Sequence, residues 1–367
     1  MKIKSLDTFQ LSIPVDAEEL SFGRVEAVDY VIVRIEAGNF TGYGEAATLQ
    51  GPRWSEESKE TINEITKKYL AKIVVGKESS EYRKIVQLMD ENVQGNNFAK
   101  AAIEMAVLDS LGNELDKPIS SILGGAYRDS IPLSWTIANN DPELDAKEAA
   151  KMVSKGWRIL KIKVGSLPLK KDLERAIAVR DAAGDKVSIR IDVNQGWKLS
   201  QALAALEPLG EASVDLLEQP LPKWDLVSAS ILAQKSRIPV AADESLCTIH
   251  DAVELAHRRA AGVFAYKLTK MGGITNAQVI NSLAKAYQIP SYVGCMIETS
   301  IGTAAYLNFA AAMSELDYGC ELFGPMRIKE DVVSKGIEYH NGNVMVPKGP
   351  GLGVKVDDRK IENLQDK

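Results

Sequence analysis

The 367-residue chain carries only three histidines and three cysteines. Cys247, Cys295 and Cys320 are an odd number without metal-ligand spacing, so they are expected to be reduced thiols of a cytoplasmic protein. His250 follows a loop, His257 falls in a helical pattern and His340 lies in the tail, so histidine catalysis is not expected. No apolar stretch reaches the roughly 18 residues of a membrane span, and Met1-Lys-Ile-Lys4 runs straight into a polar strand pattern rather than a leader. A net charge of −6 with no Lys/Arg run argues against nucleic-acid binding. There is no low-complexity segment.

What is present suits a large catalyst. The 45% of apolar residues can build a core, the 26% of charged residues an ordinary surface, and the length fits a barrel with a second domain. Residues 2–48 alternate apolar and polar, as in Tyr30-Val-Ile-Val-Arg-Ile-Glu36, and Gly42-Tyr-Gly-Glu-Ala46 follows; this predicts an antiparallel meander. Ser55 is read as the cap of a helix reaching about residue 74, and Ile103, Val107 and Leu111 mark one face of another. Strands followed by helices predict an α+β domain over residues 1–125, ending at Leu123-Gly-Gly125.

The rhythm then becomes alternating strand and helix. Strands are predicted at 131–137, 159–164, 187–192, 214–219, 238–243, 263–268, 289–295 and 317–322. Eight strands without a final helix make a modified TIM barrel, (β/α)7β, over residues 126–325. Residues 326–367, with the hairpin signal Ile337-Glu-Tyr-His-Asn-Gly-Asn343, are expected to return as strands to the capping domain.

The chemistry is carried by strand ends. Asp192, Glu218 and Asp243 close three successive apolar runs, 26 and 25 residues apart. In a parallel barrel such positions converge at the C-terminal mouth, where the fold does its chemistry. One acid there is as readily a salt-bridge partner as a ligand. Three repel one another, and a hard divalent cation, Mg²⁺ or Mn²⁺, resolves the repulsion. In Leu160-Lys-Ile-Lys-Val164 alternation puts Lys161 and Lys163 on one face, and Lys267 ends the sixth strand across the barrel. Mutual repulsion and a nearby metal are expected to lower the lysine pKa values toward a general base, one lysine on each face of a planar carboxylate substrate. The divalent ion would stabilise the enediolate left by proton loss.

The set Lys161-x-Lys163, Asp192-x-Asn194, Glu218-Gln-Pro220, Asp243-Glu-Ser245 and Lys267 resembles the enolase superfamily, specifically its muconate lactonizing enzyme subgroup. The resemblance spans essentially the whole chain, and the intervals of 29, 26, 25 and 24 between Lys163, Asp192, Glu218, Asp243 and Lys267 fit without a gap. It implies that Asp192, Glu218 and Asp243 bind Mg²⁺ or Mn²⁺ and that Lys163 and Lys267 are the acid/base pair. Lys161 would hold the substrate carboxylate, with Asn194 and Glu244 behind the ligands. The subgroup includes cycloisomerases, o-succinylbenzoate synthases, N-acylamino acid racemases and dipeptide epimerases, which the shared core does not separate. Strand eight, Cys320-Glu-Leu-Phe-Gly-Pro325, lacks the Asp-x-Asp of dipeptide epimerases and puts Glu321 at the functional position, as in muconate cycloisomerases. A dicarboxylate substrate would draw on Phe22, Arg24, Arg53, Trp54, Trp135 and Glu298; each arginine reads more readily as a surface salt-bridge residue. Barrels of this kind often assemble as homo-oligomers, octamers or dimers. A Schiff-base aldolase has no use for three acids, and a non-catalytic barrel is expected to have lost at least one of these groups.

Overall fold

In the computed structural model, which describes residues 1–365, the alternating N-terminal segment forms three antiparallel strands in the order β1 (Ile3–Leu20), β2 (Gly23–Ala37) and β3 (Phe40–Thr48). The helix Asn97–Leu115 covers β3 and β2 and is buried from Phe98 to Gly112. Its alanines 99, 101, 102 and 106 let it approach closely, and a Cβ on Gly44 would meet the Ala102 carbonyl oxygen at 1.9 Å. The Gly-x-Gly-Glu-Ala segment is therefore a helix seat as much as a turn. The first helix of the chain starts at Lys59 with Ser58 as its cap, not Ser55. Ser58 and Thr61 satisfy each other's backbone N–H groups as a capping box, which Ser55 is too far away to do. That helical stretch ends at Val74, as expected.

Seven parallel strands follow in one sheet in chain order: β5 (Trp135–Ile137), β6 (Ile159–Lys163), β7 (Ser188–Asp192), β8 (Leu216–Glu218), β9 (Val240–Ala242), β10 (Val263–Tyr266) and β11 (Ser291–Val293). Helices alternate with them. The expected first strand, 131–137, is broken: β4 (Ser130–Pro132) belongs to another sheet, and the barrel begins at Trp135. The expected eighth strand survives as hydrogen bonds rather than as a regular strand. Cys320 bridges both Leu133 and Val293, and the N–H of Glu321 donates to the Val293 carbonyl at 2.8 Å, which closes the circle.

The inside of the barrel is layered, as side-chain alternation requires. Leu216, Ala241, Val263, Ala265 and Tyr292 pack together below the mouth. Beside them the buried Arg190, in register with Leu216, lies between the rings of Tyr292 and Tyr318, 5.6 and 5.4 Å from their centroids, and donates to the Tyr318 carbonyl at 2.6 Å. Such a cation is tolerated because ring faces and a carbonyl replace part of its hydration.

The tail divides its work: part of it returns to the cap, as expected, and its hairpin turns instead to the barrel. β13 (Tyr339–His340) and β14 (Asn343–Met345) form the predicted hairpin through Asn341-Gly342, both at positive φ, but β14 pairs with β4 below the barrel. β12 (Val333–Lys335) pairs with β15 (Lys355–Val356), and the helix Asp358–Leu364 packs on β1 of the cap. Asp366 and Lys367, the last residues of the expected tail, lie outside the described residues. No helix among the described residues is long and apolar enough to cross a membrane.

Candidate active site

Register brings the predicted residues together. Lys163 pairs with Asp192 across β6 and β7, and Asp192 with Glu218 across β7 and β8. Lys161 and Lys163 share the inner face: the Lys161 ammonium lies 3.2 Å from Glu218, 3.1 Å from Asp192 and 2.5 Å from Glu321. The Lys163 ammonium donates to Asp192 at 2.6 Å and to Asn194 at 2.9 Å. On the far side Lys267 donates to Asp243 at 2.7 Å and lies 4.2 Å above the Trp54 ring. Asn194 also donates to Glu244 at 3.0 Å.

Lys161 and Lys267 are not tuned downward. Burial opposes the charge of Lys161, but Glu218, Glu321 and Asp192 outweigh it and hold the ammonium well above its ordinary range. Burial likewise opposes the charge of Lys267, and Asp243 and Glu244 push it up. The expectation of lowered values weighed lysine–lysine repulsion and a nearby metal, and left out carboxylates at contact distance. Conversely, Asp192 is held low despite its burial by Lys163 and Lys161, and Asp243 by Lys267 and Lys270. Glu218 is pushed up to about 8 by burial and by Asp192, and Glu244 to about 7 by burial and by Asp243.

Lys270 is a site residue that sequence reasoning missed. Its ammonium donates to the Asp243 carboxylate at 2.6 Å and to the Asp243 carbonyl at 2.5 Å. The signal was a second lysine three residues after Lys267 in a segment leaving a strand.

Among the described residues, no three acidic, histidine or cysteine side chains converge on one point at metal-binding range. The reason is visible in the hydrogen bonds, since lysine ammoniums engage Asp192 and both oxygens of Asp243. Even so, the donor set fits a hard divalent cation. Three carboxylates stand on successive strands, and buried Glu218 Oε1 has no hydrogen-bond partner.

The substrate-side expectations fare unevenly. A chamber over the lysines is lined by Phe22 and Trp54, with Leu20 and Leu49 from the cap and Lys161, Lys163, Lys267, Asn194 and Glu321 from the barrel. Ser21 ties the β1–β2 tip to the mouth by donating to the Asn194 carbonyl at 2.7 Å. Arg24 is exposed and paired with Glu19 and Glu26 on the outer surface. Arg53 donates to the Arg24 and Phe22 carbonyls, so it braces that tip instead of reaching inward. Trp135 faces out of the barrel, donating to Glu148 at 2.8 Å and stacking edge-on to Trp157 at 5.0 Å. Its neighbour Thr136, in register with Lys161, lines the chamber in its place. Glu298 is buried and turned into its own loop, accepting the Met296 N–H at 2.8 Å.

Two family models divide the chain along the same lines. The N-terminal domain model of mandelate racemase / muconate lactonizing enzyme matches residues 6–124, and the enolase C-terminal domain-like model matches residues 145–360. The chain belongs to the mandelate racemase / muconate lactonizing enzyme family of the enolase superfamily. It is 38% identical over 365 residues to a chloromuconate cycloisomerase of Cupriavidus necator, covering 99% of both chains. It is 36% identical to muconate cycloisomerase 1 of Pseudomonas putida, over 94% of this chain and 92% of that one. Among solved structures, muconate lactonizing enzyme from Pseudomonas fluorescens complexed with muconolactone superposes with a TM-score of 0.97 at 33% identity, over 100% of this chain and 99% of that one. The 2-chloromuconate cycloisomerase from Rhodococcus opacus 1CP gives 0.97 at 32%, covering 100% of both. The modified TIM barrel with a capping domain is thus the family's own fold, and the chain is an enzyme of that superfamily.

Proposed function

We propose that this enzyme cycloisomerises cis,cis-muconate or a related dicarboxylate to its lactone through an enolate. The observation that carries the reading is one chamber between cap and barrel in which Lys163 and Lys267 approach from opposite sides of the mouth, with Lys161 and Glu321 between them and no aspartate pair on strand eight. The names of the full-length relatives point the same way.

In this reading one substrate carboxylate adds to the conjugated double bond, a C–O bond forms, and the electrons move to the other carboxylate as an enolate. Lys163 then delivers a proton to the α-carbon. The dianion becomes a monoanion, so each turnover takes up one proton, and solvent recharges the lysine. The raised proton affinities of Lys161 and Lys267 keep both side chains protonated beside their carboxylate partners, so each can offer N–H donors to a dianion and its enolate. Lys267 balances developing charge on the other side, Lys161 holds a carboxylate oxygen, and Asn194 orients Lys163 at 2.9 Å. Leu20, Phe22, Leu49 and Trp54 exclude water, which strengthens each of these interactions.

Enzymes of this family depend on a divalent cation, and Asp192, Glu218 and Asp243 would hold it, Mg²⁺ or Mn²⁺, with Glu244 behind them. When bound, it would supply positive charge opposite the enolate oxygens. A panel of muconates, chloromuconates, N-succinylamino acids and dipeptides with each metal tests the proposal. Loss of diene absorbance with lactone formation is expected; racemisation of N-succinylamino acids without lactone would overturn the substrate assignment.

A further inference from the structure

The turn after β11 holds a β-branched residue where glycine or asparagine is usual. Ile297 has φ +59°, a left-handed conformation disfavoured for such side chains, and it lines the chamber beside Met296. Strain at a substrate wall persists only where the surroundings over-determine it. Here four contacts do so. The Tyr30 hydroxyl, fully buried in the centre of β2, donates to the Ile297 carbonyl at 2.7 Å. The Glu298 carboxylate accepts the Met296 N–H. Gly324 presses on the same peptide so closely that a Cβ there would lie 2.2 Å from the Glu298 carbonyl oxygen. Glu45 of β3 accepts the N–H groups of Thr299 at 2.9 Å and Gly302 at 3.1 Å, fixing the start of the helix Ser300–Ala312. Two of the four anchors come from adjacent strands of the cap and grip a loop of the barrel.

We infer that Tyr30 is a positioning residue of the substrate chamber. Its hydroxyl holds the strained Ile297 turn, so the core of the capping sheet sets the wall the substrate meets without touching the substrate. A merely structural tyrosine would affect the amount of folded enzyme and leave the chamber's affinity unchanged.

The kinetic part of the test rests on the cycloisomerase reading; the exchange part does not. In full-length, metal-loaded enzyme, Tyr30→Phe is expected to raise KM for muconate about tenfold, with kcat within about threefold, because one buried carbonyl loses its donor. In an Ile297→Gly background, where the left-handed turn is unstrained, the same substitution is expected to shift KM less than about twofold. Amide exchange at residues 297–300 is expected to accelerate in Tyr30→Phe while the rest of β2 stays protected. An unchanged KM, or an equal rise in both backgrounds, overturns the inference. If wild-type enzyme does not turn over muconate, the substrate reading falls, and exchange alone decides: unaltered protection at 297–300 overturns the role of Tyr30.

Discussion

The molecule buries carboxylates in two ways. At the barrel mouth Asp192 and Asp243 meet lysine ammoniums and are held low. In the joints of the cap they meet backbone N–H groups instead. Glu57 accepts from Phe98 and Ala99 at the start of the long cap helix, and Glu104 from Thr275 at the start of the barrel helix Ile274–Ala286. Asp109 accepts from Tyr43 and from Leu352 of the tail, and Glu45 from Thr299 and Gly302. Burial pushes Glu45 up to about 8, and Glu57, Glu104 and Asp109 to about 7. An amide dipole satisfies a hydrogen bond but does not neutralise a charge, whereas an ammonium does both. Asp192 and Asp243 therefore stay ionised for chemistry, while joint acids fasten one element to another. Glu218 lies between the two classes: it shares Lys161, keeps one oxygen without a partner, and stands to gain most from a cation.

Substitutions can break or sharpen this contrast. The largest effect is expected at the mouth: Lys163→Ala should lower lactone formation by about 10³-fold with the fold intact, since the proton donor is gone. Near-normal turnover in steady-state assays would end the mechanism. Glu218→Gln should cost at least about 10²-fold and weaken divalent-cation binding measured by calorimetry, without changing thermal unfolding. Unaltered cation affinity would remove Glu218 from the ligand set. A joint should respond in the opposite way. Glu45→Ala leaves buried donors of Thr299 and Gly302 unpaired, and denaturant unfolding should report a loss on the order of 3 kcal/mol.

The same joint predicts a pH dependence. An acid raised in the folded state binds its proton more tightly there than when unfolded, so stability is greatest below its unfolded value near 4.5 and declines up to its folded value of about 8. Unfolding free energy should thus fall between pH 5 and 8, by about 1 kcal/mol per unit from Glu45, and Glu45→Gln should flatten that slope. The smallest effect is expected at Arg24, whose exposed pairs with Glu19 and Glu26 contribute little. Arg24→Ala should change kcat/KM less than about twofold, and a larger loss would return it to the substrate site.

Much of the site is legible in the order of the residues alone. Strand ends spaced by one βα unit point to a common mouth, and the two-residue period puts Lys161 and Lys163 on one face whatever the rest of the chain does. Asn-Gly likewise determines a hairpin at residues 341–342, whereas the helix seat at Gly42 and Gly44 appears only once the helix Asn97–Leu115 packs on β3. The spacing, the period and the turn are local rules, written in neighbouring residues. Which face of Trp135-Thr136 meets the chamber, whether Glu298 points at substrate or at its own loop, and that the tail hairpin seals the floor all depend on partners far along the chain. The direction of the lysine shifts is of the same kind, because burial and three converging carboxylates act only once the barrel closes. So is the grip of Tyr30 and Glu45 on residues 297–302, more than 250 positions away, where packing alone selects a strained turn that no local preference would choose.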